Sequence, residues 1–314
     1  MLHRTRRHIL TLGLLAGLSA PSWGQQQPIM RIVHGSGAGA PQDVMLRILA
    51  DEISKATGRN VIVEPKPGAS GQLAMSFLKQ APADGLTMLA DGTGITSILQ
   101  LPGRLHEWTD FEPLYRVQLD PFALYALPQK FKDFGAFAEE MRVKKDHVRI
   151  GGYAIGGPFQ MVMMQLSRRV DGDFSWIPYD SGGKAIAAVI GEQIEGAVSN
   201  VSVAGTFSPR TKILAQTGEA RLAQLPDVPT LKELGIDIVK YHWRGLFIKK
   251  GTPEALIERN YAMIKAGVAS ARFQKYLKES GTIEGTISRT AMSDMLTEQA
   301  RNDTQLLKQL KMIP

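Results

Sequence analysis

The sequence predicts an α/β protein of two lobes with a cleft between them. Three observations carry that expectation. Residues 29–94 alternate short apolar strands with helical patterns in a β-α-β-α-β rhythm, which implies a largely parallel sheet. A second series of the same kind occupies residues 134–199. Two extended segments, near 115–128 and 238–248, join the series and read as crossings between lobes. The expected first lobe is 25–124 with 246–314, and the expected second lobe is 125–245.

Residues 1–24 read as an export signal. Arg4, Arg6 and Arg7 precede an apolar stretch from Ile9 to Ala20, and Ser22-Trp23-Gly24 offers a small-x-small cleavage site. Thr5 to Leu10 also fits a twin-arginine signal that lacks its lysine, beside the ordinary secretory reading. The apolar stretch is too short to span a bilayer. A periplasmic location is therefore expected. With no cysteine in the sequence, lipid anchoring, disulfides and thiolate metal sites are excluded. The three signal arginines carry three of the seven net positive charges, which leaves +4 on the remaining 290 residues. That mild excess comes without a dense basic run, so no nucleic-acid partner is expected.

In order along the chain, Ile29 to Val33 is extended and leads into a glycine loop. Val44, Met45, Ile48, Leu49 and Ile53 then share one helical face, with Pro41 suited to the first helical position and Gly58 to the stop. Val61 to Val63 is a strand, Pro65 to Gly71 a loop, Leu73 to Lys79 a helix, and Leu86 to Ala90 a strand ending in Asp91-Gly92-Thr93-Gly94. Tyr115 to Leu119 and Phe122 to Leu127 read as two strands. The second series has a helix at Phe134 to Arg142, a strand at Val148 to Ile150 and a glycine loop from Gly151 to Gly157. A Met-rich helix follows from Phe159 to Arg169, its methionines read as packing rather than a cofactor box. Trp176 to Tyr179, a turn at Asp180 to Gly183, a helix at Lys184 to Ile190 and strands at Ile194 to Ser199 and Ile213 to Ala215 come next. The second crossing then leads to Gly251-Thr252-Pro253 and C-terminal helices.

The stretch richest in chemistry is His34 to Asp43. A strand that turns through glycines into a helix start aims unpaired N–H groups and the positive end of a dipole at one spot, which suits an anion. Gly35 to Ala40 also fits the dinucleotide pattern G-x-G-x-x-G/A, with Glu64 standing where a ribose-binding acid would. The export signal and Pro41, which removes an N–H from the helix start, weigh against a dinucleotide-dependent oxidoreductase. The sequence has no His-Glu-x-x-His, no Gly-x-Ser-x-Gly and no P-loop. Of the histidines beyond the signal, His34 stands nearest a binding loop.

Several short motifs stand in a telling order. Arg31-Ile32-Val33 leads to the glycine loop and Asp43, Val63-Glu64 to Pro67-Gly68-Ala69-Ser70-Gly71, and Ala83-Asp84-Gly85-Leu86-Thr87 follows. Pro178-Tyr179, Leu225 to Thr230, and Trp243 to Phe247 with Gly251-Thr252-Pro253 complete the series. Over nearly all of the chain from Pro28, these motifs resemble the extracytoplasmic solute receptors of the tripartite tricarboxylate transporter family, the Bug-type receptors.

The resemblance implies a type II periplasmic-binding-protein fold, the Venus flytrap, and a non-enzymatic receptor. A small organic carboxylate would be held by two pincer loops, mainly through backbone amides. The first pincer brings His34, Ser36, Gly37, Ala38, Gly39, Ala40 and Asp43. The second brings Tyr153, Ala154, Ile155, Gly156, Gly157 and Gln160. Gly92, Thr93, Ser181 and Ser199 are expected beside them. Arg244 is open between gripping a carboxylate in bidentate fashion and pairing with a neighbouring acid. Asp43 is open between accepting from a ligand and capping its helix.

The chain departs from the family at three places: no proline precedes the first glycines, the second loop has Tyr153, Ala154, Phe159 and Gln160 in place of hydroxyls and a histidine, and Ser199 stands where aspartate is frequent. The resemblance further implies the membrane components of a tripartite transporter as partners; a monomer is expected, with no cofactor, and no pair of histidines is spaced to hold a metal. A sensor-coupled receptor and an orphan binder are the alternatives.

Overall fold

Two sheets share a single long strand in the computed structural model, which describes residues 28–309 and 311–314. The export segment expected at 1–24 lies outside the described residues. The first series runs β1 (Met30–His34), α1 (Pro41–Thr57), β2 (Val61–Pro65), α2 (Gln72–Gln80), β3 (Thr87–Gly92) and α3 (Gly94–Ile98). The long strand β4 covers Phe111–Ala126. The second series is α4 (Phe134–Lys144), β5 (Arg149–Tyr153), α5 (Pro158–Arg169), β6 (Ser175–Tyr179), α6 (Gly182–Ile190) and β7 (Gly196–Asn200). It continues through α7 (Ala204–Phe207) and β8 (Lys212–Gln216). The chain then returns along β9 (Tyr241–Lys249) and ends in α8 (Glu254–Val268), α9 (Ala271–Ser280), β10 (Ile283–Glu284) and α10 (Arg289–Gln309).

Both β-α-β series are parallel, as their rhythm predicts: β1 pairs with β2 and β3, and β5 with β6 and β7. The crossing strands are antiparallel. β9 lies between β3 and β4 in the first sheet, while β7 and β8 flank the far half of β4 in the second. The fold is thus the two-lobed periplasmic-binding-protein architecture.

Period-2 alternation on the strands feeds two cores per lobe. Met30 and Ile32 of β1 face Met45, Leu46, Leu49 and Ile53 of α1, together with Ile257 and Ile264 of α8. Val33 faces the other way, against Met75 and Leu78 of α2 and Met292 and Leu296 of α10. In the second lobe Ile150 and Val198 pack on Phe137 and Met141 of α4 and Val162, Met163 and Leu166 of α5. The Met-rich helix therefore packs. Ala185, Ile186 and Val189 of α6 cover the opposite face. No helix among the described residues is long and apolar enough to cross a membrane.

Two expectations need correction. The strands read at 115–119 and 122–127 are one, because Pro121 sits where β4 changes partners. Pro121 is the last residue opposite β9, and Phe122 is the first opposite β7, so the missing proline N–H breaks no ladder. The loop read at Gly151 to Gly157 begins later, since Gly151 and Gly152 belong to β5. Their bareness serves packing. A Cβ on Gly151 would lie 2.7 Å from the Tyr179 ring, and one on Gly152 2.5 Å from the Trp176 ring.

Candidate functional site

The two loops singled out by sequence prove to be the same turn built twice. In the first, Gly39 takes a left-handed φ of 76°, Ala40 is extended, Pro41 opens α1, and the Asp43 side chain turns back to accept from the Gly39 N–H at 2.9 Å. In the second, Gly156 takes a φ of 66°, Gly157 is extended, Pro158 opens α5, and Gln160 Oε1 accepts from the Gly156 N–H at 2.6 Å. The left-handed glycine reverses the chain, and proline at the first helical position sacrifices only an amide that the helix could not use. Each turn leaves its next two amides, Gln42 and Asp43 or Phe159 and Gln160, without a partner among the described residues. Those amides and the helix dipole are the donors an anion needs.

Neighbouring loops lock these turns in place. A Cβ on Gly35 would collide with the Cα of Gly71 in the loop after β2, so the two backbones touch. Gly37 has nothing within 4 Å of that position. Gly35→Ala should therefore cost about 1–3 kcal/mol of stability through forced backbone displacement. Gly37→Ala should stay within about 0.5 kcal/mol. Urea midpoints of the two variants check the contrast. On the second side, the Trp176 Nε1–H donates to the Ala154 carbonyl at 2.9 Å, and the Ala154 N–H donates to the Tyr179 carbonyl at 3.3 Å. These bonds hold Ala154 at a left-handed φ of 62° that its side chain disfavours. Ile155 projects outward, and Gly156 is covered by Leu101 and Met312 of the other lobe.

Between the turns, the end of β3 meets the start of α5. A Cβ on Gly94 would lie 3.4 Å from Pro158, and one on Gly92 would collide with the Trp243 carbonyl and come within 3.5 Å of the His242 ring. Phe159 lies against that imidazole at 5.5 Å between centroids, with Phe122 edge-on to both. Burial drives the His242 pKa well below the usual histidine range, so the ring is neutral. Tyr153 stands in the same region. Burial, reinforced by the charge of Asp91 opposite, pushes its hydroxyl up to about 12.

Several predicted contacts are engaged elsewhere. His34 is fully buried. Its Nε2 sits 3.0 Å from Asp43 Oδ1, and burial lowers its pKa despite that partner, so it braces Asp43 instead of facing the cleft. Asp43 takes its second reading, the acid in the first turn of α1: the capping position itself, Ala40, has no side-chain bond, and the buried carboxylate is shared among Gly39, His34 and Arg47. Burial pushes Asp43 up, but the bonds from Arg47 and Gly39 outweigh it and hold the carboxyl below its ordinary range. The Ser36 hydroxyl donates to Gln42 Oε1 at 2.7 Å. Thr93 accepts from the Trp243 N–H at 2.8 Å, and Ser181 caps α6 through Lys184 N. Ser199 is buried under Gly182.

Arg244 takes the second of its two readings. The residue is 3% exposed, and its guanidinium donates to Asp120 Oδ2 at 3.0 Å and Asn200 Oδ1 at 3.1 Å, tying β9 to β4 and β7. Glu64 is likewise occupied, pairing with Arg31 and with Lys66 at 3.1 Å, so it is not free to hold a ribose. Sequence reasoning passed over Asp91 and His242. The signal for Asp91 was its place at the carboxyl end of a parallel strand, where open α/β sheets present ligand contacts.

The family model described as "Tripartite tricarboxylate transporter family receptor" matches residues 45–312. The UPF0065 protein in the gbd 5' region of Cupriavidus necator is 29% identical over 296 residues, covering 87% of this chain and 88% of the relative. Among solved structures, the periplasmic binding protein BugD superposes with a TM-score of 0.81 at 24% identity, covering 90% of this chain and 97% of its own. MatC of Rhodopseudomonas palustris with bound malate gives 0.80 at 21% identity, covering 89% and 98%.

Proposed function

Because the chain belongs to the tripartite tricarboxylate transporter family of receptors, we propose that it captures a small organic carboxylate in the periplasm between the turns Gly39–Asp43 and Gly156–Gln160. The family is one of solute-binding receptors, not of enzymes. The observation that carries the reading is the duplicated turn: one left-handed glycine, one helix-opening proline and one side chain folded back, in each lobe, with two free amides apiece. Two such donor sets suit the two ends of a short dicarboxylate, or a single carboxylate shared between them. MatC, with malate bound, is a structural relative that holds a ligand of this class.

In this reading the lobes are 25–124 with 246–314, and 125–245. They close by bending at β4 and β9, biased by the ligand's preference for the closed form. The closed face is what membrane components of a tripartite transporter would recognise. Mass spectrometry of small molecules released from the natively purified protein, followed by calorimetric titration with mono-, di- and tricarboxylates, tests it. Saturable binding of at least one carboxylate, with stabilisation against heat, is expected. Saturable binding of NAD with no response to any carboxylate would reverse the reading.

A further inference from the structure

Asp91 is the anomaly in a site otherwise built from amides and rings. It ends β3 beside β9, and one of its oxygens accepts the Gly92 N–H at 2.7 Å. The other, Oδ2, faces the loop after β2, 3.6 Å from where a Cβ on Gly71 would stand. Among the described residues, no lysine, arginine or histidine forms an ion pair with it and no second donor reaches it. Arg244, whose backbone lies opposite Gly92, is spent on Asp120. His242, against Gly92, is neutral. Across the cleft stand Tyr153 and, beyond it, Asp180, which is paired with Lys184. Asp91 is half-buried, so water reaches Oδ2 while the site is empty; a bound ligand that displaces this water without supplying a donor strands the acceptor, and a simple anion is repelled besides. Burial already pushes this carboxyl up to about 7.

We propose that Asp91 sets ligand specificity: its Oδ2 accepts a hydrogen bond from an amino or hydroxyl group that the bound carboxylic acid carries on its carbon chain. The inference rests on the carboxylate-receptor reading and narrows it from organic acids in general to those bearing a hydrogen-bond donor. The two amide turns would take the carboxylate, and Asp91 would read what stands beside it. Such polar readout discriminates strongly, because an analogue lacking the donor leaves a buried acceptor unpaired.

The test is calorimetry on the ligand-stripped protein with two matched sets: succinate, malate and aspartate, and propionate, lactate and alanine. In the parent protein a donor-bearing member of one set should bind at least about tenfold more tightly than its plain acid, the change expected of one charged hydrogen bond. In Asp91→Asn the preference should fall to within about threefold, through weaker binding of the donor-bearing acid. Asparagine keeps the shape and the bond from Gly92, and thermal unfolding of the variant checks its fold. A plain acid that binds as tightly as its partners, or a preference that survives in Asp91→Asn, overturns the inference and leaves the receptor reading standing. Ethanolamine, which has the donors but no carboxylate, supplies the converse arm. Its binding, lost in Asp91→Asn with every acid inert, supports the Asp91 contact and overturns the carboxylate reading. Silence from the whole panel overturns both.

Discussion

Arg244→Ala should destabilise the protein by about 3–5 kcal/mol, the loss that follows when one partner of a buried ion pair is removed. The pair is wholly inside: Arg244 bridges Asp120 and Asn200, and Asp120 also accepts from the Ser202 hydroxyl at 2.5 Å. Burial holds the Asp120 carboxyl above its ordinary range even with Arg244 beside it. Without the guanidinium it rises further. A carboxyl raised in the folded state contributes stability below its unfolded pKa that is lost as pH climbs through the folded value. The deficit of Arg244→Ala should therefore be larger at pH 8 than at pH 5, and Asp120→Asn in the same chain should recover part of it. Urea unfolding at the two pH values measures both. Unchanged stability with weakened carboxylate binding would instead mean that Arg244 reaches the ligand.

The second large effect has the opposite sign. With its carboxyl at about 7 against an ordinary 3.8, Asp91 destabilises the unliganded fold once ionised. The penalty is absent below pH 3.8, grows as pH rises through the interval to 7, and is complete above it. Asp91→Asn should thus be more stable than the parent by roughly 2–4 kcal/mol at pH 8, with no gain near pH 4. Removing the charge should also lower the Tyr153 hydroxyl from about 12, visible in an ultraviolet titration of the tyrosines. If the two unfolding curves run parallel across pH, Asp91 does not titrate in this interval. Such a penalty beside the proposed binding turns fits a protein that gives up stability in the empty state for selectivity in the filled one.

What sequence made legible was local. Pro41 and Gly58 bound α1 where capping rules put them, the latter with a φ of 67°, because helix ends depend on a few adjacent residues. The parallel order within each series followed from its rhythm. Partners remote in sequence stayed hidden. Asp120 and Arg244 are 124 positions apart, and nothing local to either reveals the other. The single strand β4 read as two because the tolerance of Pro121 within it depends on which strands lie alongside. Gly151 and Gly152 looked like a loop because the rings that need their bareness, Tyr179 and Trp176, come later in the chain. His34 stands beside the glycine loop that the sequence singled out, but its side chain faces inward, an orientation set by the buried Asp43 carboxylate.

The position of β9 bears on how the molecule is made. The strand emerges after residue 240, yet it fills the gap between β3 and β4, whose last residue is 126. Until the chain has been completed past Lys249, both neighbours have an open edge, the kind of template on which chains aggregate. The first lobe cannot finish folding as its N-terminal half emerges. It must wait for the second lobe's residues to pass, and for α8 and α10 to close its two cores. Long-range pairings of this sort fold slowly. If export follows the ordinary secretory reading, in which the chain crosses the membrane unfolded, such delay is an advantage: the topology keeps the polypeptide threadable until all of it has arrived.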